Sequence, residues 1–239
     1  MSLGIQLPII LFLLGPPPNP HVGPSVEAQQ DPLFTWVSDV SMGAEYSDSH
    51  MVTRWVKSPT LQTVGANAEQ QQVVADAVEH LNTTLALTPI KRIRVLSSAR
   101  SGSADIVVHF APQKDHYSIT KRQNIKYFEE GNYSWFTVFY DGRGRIYRAY
   151  ILIATDKLEG EDLRHHTLEM ITNSLGPCNS SSTYKDSIHY TKGDDGGNAQ
   201  QLSHKDEVLI WLIFNFVEPG SAWAEVRNAY LQHWPKEYR

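Results

Sequence analysis

Apolar and polar residues fall in short blocks over the first part of the chain and in helical rows over the rest. Residues 33–40 and 51–56 are short runs rich in aromatic and β-branched side chains, which predicts two strands. Within 66–85, Val74, Ala77, Val78, Leu81 and Leu85 recur at helical intervals on one face, which predicts a helix. Two compact strands, 92–96 and 106–110, come next, and the polar stretch 112–130 predicts an irregular excursion. Residues 135–140 and 146–154 flank Asp141-Gly142-Arg143-Gly144, a hairpin signal with Asp-Gly at the turn. A helix over 161–175 is stopped by Gly176 and Pro177. Ser203 and Asp206 form a capping-box pattern that opens a helix to Phe216. A last helix, 222–234, follows Pro219-Gly220, and Trp211, Trp223 and Trp234 read as core anchors. Strands with one early helix precede a run of helices. The pattern predicts an α+β fold in one domain: an N-terminal mixed β-sheet and a C-terminal helical half.

Composition narrows the function. With 41 % hydrophobic and 10 % aromatic residues, 15 Gly and 13 Pro, the chain is neither collagen-like, low-complexity nor wholly disordered. The 21 Lys and Arg against 26 Asp and Glu give a net charge of −5, so no basic stripe is available to neutralise phosphates and no nucleic-acid partner is expected. Residues 3–14 are apolar except for Gly4, Gln6 and Pro8. That run is shorter than the ~20 residues a membrane span needs, and it has the length of a signal-peptide core. Val26-Glu27-Ala28 places small residues at the −3 and −1 positions, so cleavage is expected after Ala28. This reading makes 1–28 a signal peptide and 29–239 a secreted, extracellular domain, with a membrane anchor as the alternative. The apolar run 208–214 ends at Asn215 and Glu218 and reads as a buried helix, leaving no membrane span after cleavage. Asn82, Asn132 and Asn179 each open an N-glycosylation sequon without an intervening Pro. Cys178 is the single cysteine, which excludes an intrachain disulfide. It reads as a buried structural thiol, with intermolecular pairing open.

Candidate chemistry is concentrated in 163–190, LRHHTLEMITNSLGPCNSSSTYKDSIHY. This stretch resembles the metzincin metallopeptidases, whose pattern is a helix with two His at i and i+4, a Glu beside the first, a Gly turn, a third His and a Met-containing turn under the metal. Aligned on Leu175-Gly176, the resemblance places Glu169 at the first ligand position, Met170 at the general base, Asn173 at the second ligand and Asn179 at the third. Gly176 is the turn, and Asp186-Ser187-Ile188-His189-Tyr190 resembles the Met-turn with His189 in place of Met. The strand 147–154 resembles the edge strand that lines the cleft of those enzymes. More closely, 169–176, Asn179, the Asp-Ser-Ile turn and Leu202-Ser203 resemble the DUF2927 family of often exported bacterial proteins. The likeness covers about 33–216 and is specific over 145–216.

What the resemblance implies is a metzincin-like scaffold without a working zinc centre. Neutral Asn is a poor zinc ligand and a Met side chain takes no proton from water. The expected role is therefore a secreted glycoprotein without cofactor that binds an extracellular protein or matrix component. The alternative is a zinc-dependent extracellular peptidase. His165, Glu169 and His189 would supply two imidazoles and a carboxylate with one position open. His165 and Glu169 equally form an i, i+4 pair on a solvated flank, with Leu168, Ile171 and Leu175 facing the core, and His166 shares that ambiguity. The loop 193–198 is rich in Gly and Asp but lacks EF-hand spacing, and reads as a surface loop.

Overall fold

The β-branched runs of the chain assemble into a single mixed sheet. In a computed structural model, which describes residues 31–43, 50–96, 104–192 and 196–236, five strands pair in the order β2-β1-β3-β5-β4. They are β1 (Thr60–Val64), β2 (Arg94–Val95), β3 (Ile106–Ala111), β4 (Ser134–Tyr140) and β5 (Ile146–Ala154). Parallel pairing joins β2 to β1, β1 to β3 and β3 to β5, whereas β4 runs antiparallel to β5 through the Asp141–Gly144 turn. The helices are α1 (Pro32–Ser41), α2 (Ala68–Leu85), α3 (His116–Arg122), α4 (Gly160–Asn173), α5 (His204–Phe216) and α6 (Trp223–His233). The α+β architecture with a C-terminal helical half is thus the one observed. The expected signal peptide, 1–28, and loop positions 193–195 lie outside the described residues.

Two cores hold the elements. On one sheet face, Leu61, Ile106, Val108, Ile151 and Ile153 meet the α2 row Val74, Val78, Leu81 and Leu85 and the α4 row Leu168, Ile171 and Leu175. The second core is helical: Leu33, Phe34, Trp36 and Val37 of α1 pack against Leu209, Leu212 and Ile213 of α5 and Val226 and Tyr230 of α6. Trp234 is buried there, while Trp211 and Trp223 lie partly buried at its margin. A small cluster of Ile119, Trp135 and Leu152 fills the opposite sheet face below α3.

Four expectations from the sequence are corrected. Residues 33–40 form helix α1, not a strand. Leu33, Trp36, Val37 and Val40 are buried at i, i+3, i+4 and i+7, and the Asp31 carboxylate accepts from the N–H of Leu33 at 3.0 Å and Phe34 at 3.1 Å. Residues 51–56 form no strand beyond a single bridge at Arg54 to Arg145, because the Arg54 guanidinium turns inward to the carbonyls of Val217 and Trp55. The strand lies just downstream, as β1. Within 112–130, a 3-10 turn and α3 replace the expected irregular path. Finally, β5 is not the edge strand. It lies between β3 and β4, and the edge is β4.

Candidate functional site

Among the described residues β4 pairs only with β5, which leaves its other edge without a strand, and α4 crosses beside it. Between them lies a cleft of about 420 Å³. Ser134, Phe136, Val138 and Tyr140 line it from β4, and Glu169, Met170 and Asn173 from α4. Cys178, Ser180, Asn132 and the exposed ring of Tyr127 complete the rim. The N–H of Ala154 donates to the Tyr133 carbonyl at 2.8 Å, making that a hydrogen-bonded cross-strand pair. Antiparallel alternation then turns the main-chain N–H and C=O groups of Ser134, Phe136 and Val138 away from β5, toward the cleft.

The residues at the metzincin-like positions are distributed as follows. Glu169, Met170 and Asn173 face the cleft, and Gly176 ends α4 at φ +141°. A Cβ at Gly176 would meet the Thr53 carbonyl oxygen at 2.2 Å, so only glycine allows the chain to pass there. Asn179 does not enter the cleft as a ligand. Its Nδ2 donates to the carbonyls of Asp39 at 3.0 Å and Met42 at 2.6 Å, tying this segment to the end of α1. His189 is 1 % exposed on the turn 186–190, and neither ring nitrogen has a hydrogen-bond partner among the described residues. Burial pushes its pKa down, with Asp206 and Glu169 opposing. That turn is anchored by Asp206, whose carboxylate accepts from Ser187 Oγ at 2.6 Å, Ile188 N at 3.0 Å and Ser203 N at 2.8 Å.

A zinc ion at the metzincin-like positions does not fit these residues. Asn179 is held out of the cleft lining by its two Nδ2 bonds, Met170 offers no proton acceptor, and the neutral amide oxygens of Asn173 and Asn179, though buried without hydrogen-bond partners among the described residues, are weak donors to zinc. Cys178 is also chemically quiet. Its Sγ donates to the Gly176 carbonyl at 2.9 Å, and burial pushes the thiol up to about 12.

Metal-ligating atoms converge one turn earlier on α4. His165, His166 and Glu169 bring theirs within 4.8 Å of one another among the described residues. Glu169 Oε2 lies 3.7 Å from His165 Nε2 and 3.5 Å from His166 Nδ1. His165 is 3 % exposed, not on a solvated flank, because its ring is capped by the 196–199 segment: Nδ1 lies 2.8 Å from the Ala199 carbonyl and Nε2 3.2 Å from that of Gly196. The Ser134 hydroxyl reaches His166 Nδ1 at 3.0 Å, which links this group to the cleft wall. His166 thus joins the pair expected from i, i+4 spacing. Its i, i+3 spacing to Glu169 is the only sequence signal for it.

The model for a protein of unknown function, DUF2927, matches residues 36–232. The chain belongs to the DUF2927 family. No curated protein has a matching sequence. Among solved structures, this DUF2927 chain is similar to a crystal structure of myroilysin at 12 % identity and a TM-score of 0.40, over 74 % of this chain and 92 % of that one. A second myroilysin structure matches at 13 % identity and a TM-score of 0.41, over 69 % and 97 %.

Proposed function

We propose that this DUF2927 protein is a secreted, non-catalytic binding protein that takes an extended segment of an extracellular or matrix protein along the open edge of β4. One observation carries the reading: the main-chain donors and acceptors of Ser134, Phe136 and Val138 border a cleft walled by Phe136, Val138 and Tyr140. An added strand pairs with such an edge through its own main chain, and alternate side chains enter the cleft for selectivity. The metzincin-like alignment sets Met170 and Asn173 at the base and a ligand position, and both line the cleft, which supports holding a peptide there over cutting it. The signal-peptide pattern of 1–28 and the sequons support export. Of these, Asn132 at the cleft rim fits a glycan best. Asn82 is engaged with the Ile93 main chain at 2.7 and 3.1 Å, and Asn179 would lose an Nδ2 hydrogen that now holds α1.

The test uses a library of unstructured decapeptides incubated with the purified protein. Retained peptides are expected, along with slowed amide exchange at Phe136 and Val138. Val138→Pro removes one outward N–H and leaves the β5 ladder intact, so affinity should fall about tenfold with an unchanged circular dichroism spectrum. Retention that is indifferent to Val138→Pro, with no protection of β4, overturns the reading. Cleaved peptides whose production stops with chelator and returns with zinc establish instead the alternative, a zinc-dependent hydrolase.

A further inference from the structure

We infer that His165 Nε2, His166 Nδ1 and Glu169 Oε2, with the Gly196 carbonyl, form a binding site for one divalent transition-metal ion of zinc's class at the head of the β4–α4 cleft. The argument begins with His165. Its Nδ1 stands 2.8 Å from the Ala199 carbonyl, and only an N–H on Nδ1 makes that contact favourable. In a neutral ring Nε2 then carries a lone pair. Yet Nε2 faces the Gly196 carbonyl oxygen at 3.2 Å and the Glu169 carboxylate at 3.7 Å, two further electron-rich atoms in a pocket where His165 is 3 % exposed. These electron-rich atoms converge on one point that a cation would satisfy.

Geometry favours the cation. Tetrahedral zinc with bonds of about 2.0–2.1 Å sets its ligand atoms about 3.3–3.4 Å apart. Three of the separations are close to this, 3.2 Å from His165 to the Gly196 oxygen, 3.5 Å from His166 to Glu169 and 3.7 Å from His165 to Glu169, and all three side-chain ligand atoms lie within 4.8 Å of one another. A metal uses both imidazoles and the shared Glu169 oxygen at once, which a hydrogen bond from one ring does not. Donation from Nδ1 of a ligating histidine to a main-chain carbonyl is the outer support that fixes such a ring for Nε2 ligation. Two imidazoles, one carboxylate and one carbonyl oxygen suit zinc and its neighbours better than calcium or magnesium, which prefer all-oxygen cages. On metal entry, the Ser134 hydroxyl gives up its 3.0 Å contact with His166 Nδ1, and the ion thereby couples to the strand that lines the cleft.

The experiment uses the purified protein without a histidine tag, stripped with chelator and dialysed against zinc, with metal content measured by mass spectrometry. One zinc per chain is expected. Cobalt titration should give the intense visible absorption of a four-coordinate ion, distinct from the pale aqueous form. His166→Ala, at a side chain 27 % exposed, and Glu169→Gln, nearly the same shape, should each keep the fold and weaken zinc binding at least about tenfold, since losing even an outer-shell partner costs that much. A folded wild-type protein that takes up no zinc, or zinc uptake unaltered in both variants, overturns the site.

Discussion

Asp206 shows how one buried side chain can serve two elements. Its carboxylate caps α5 by accepting from Ser203 N, and it also accepts from Ser187 Oγ and Ile188 N, which holds the turn that carries His189. Asp206→Ala leaves these donors buried and unpaired, and is expected to cost roughly 3 kcal/mol or more. Urea unfolding should show a lower midpoint at unchanged slope, and a change within 0.5 kcal/mol (about the size of an ordinary surface substitution) would contradict the assignment. Half of this role was legible in the sequence. Ser203 and Asp206 lie three residues apart, the local spacing of a capping box, whereas the grip on 187–188 spans 18 or 19 residues and has no periodic signature. The same asymmetry explains the histidines. His165 and Glu169 are legible as an i, i+4 pair, but its burial depends on the 196–199 segment closing over it, which no local pattern records.

At the level of elements, α2, α4, α5, α6 and the β4–β5 hairpin were readable because their apolar rows and stop signals are local. Helix α1 was not, since its aromatic and β-branched composition suits a strand and only the spacing of Leu33, Trp36, Val37 and Val40 shows the helix. Strand order could not be read either. That the edge belongs to β4 follows from β5 inserting beside β3, a pairing between residues about 43 apart. The junction after α4 carries the tightest constraint. Gly176→Ala places a Cβ against the Thr53 carbonyl and strains a backbone at φ +141°, so the end of α4 must shift away from residues 53–54. The expected result is a loss of several kcal/mol by thermal or chemical unfolding, or failure to accumulate as folded protein. An alanine variant of wild-type stability would show that the close approach is dispensable.

For the molecule as a whole, three buried histidines set a dependence on pH. Burial, with Arg122 and His116 nearby, lowers His109 to about 4, and burial lowers His116 and His189 as well. Around His189 the facing carboxylates of Asp206 and Glu169 oppose the shift, and around His116 those of Asp156 and Asp115 do. The unfolded chain therefore takes up protons that the folded chain refuses. Stability is complete above the ordinary histidine value of 6.5 and declines as pH falls toward about 4, by roughly 2 kcal/mol for His109 alone. Denaturation midpoints measured at neutral pH and in mildly acidic buffers should fall in that order, and His109→Gln should flatten the trend. An equal midpoint throughout would remove the role given to these rings.

The helical core has a consequence for synthesis. Phe34 stacks edge-on with Trp223 at 5.2 Å, and the hydroxyl of Tyr230 donates to Asp31 at 2.8 Å, a link across 199 residues. A nascent chain emerging from the ribosome presents α1 long before α5 and α6, so the apolar side of α1 stays uncovered until residues 204–233 have been made. Premature termination before residue 204 would strand that surface in solvent, and the truncated product would be a natural client for chaperones or proteases.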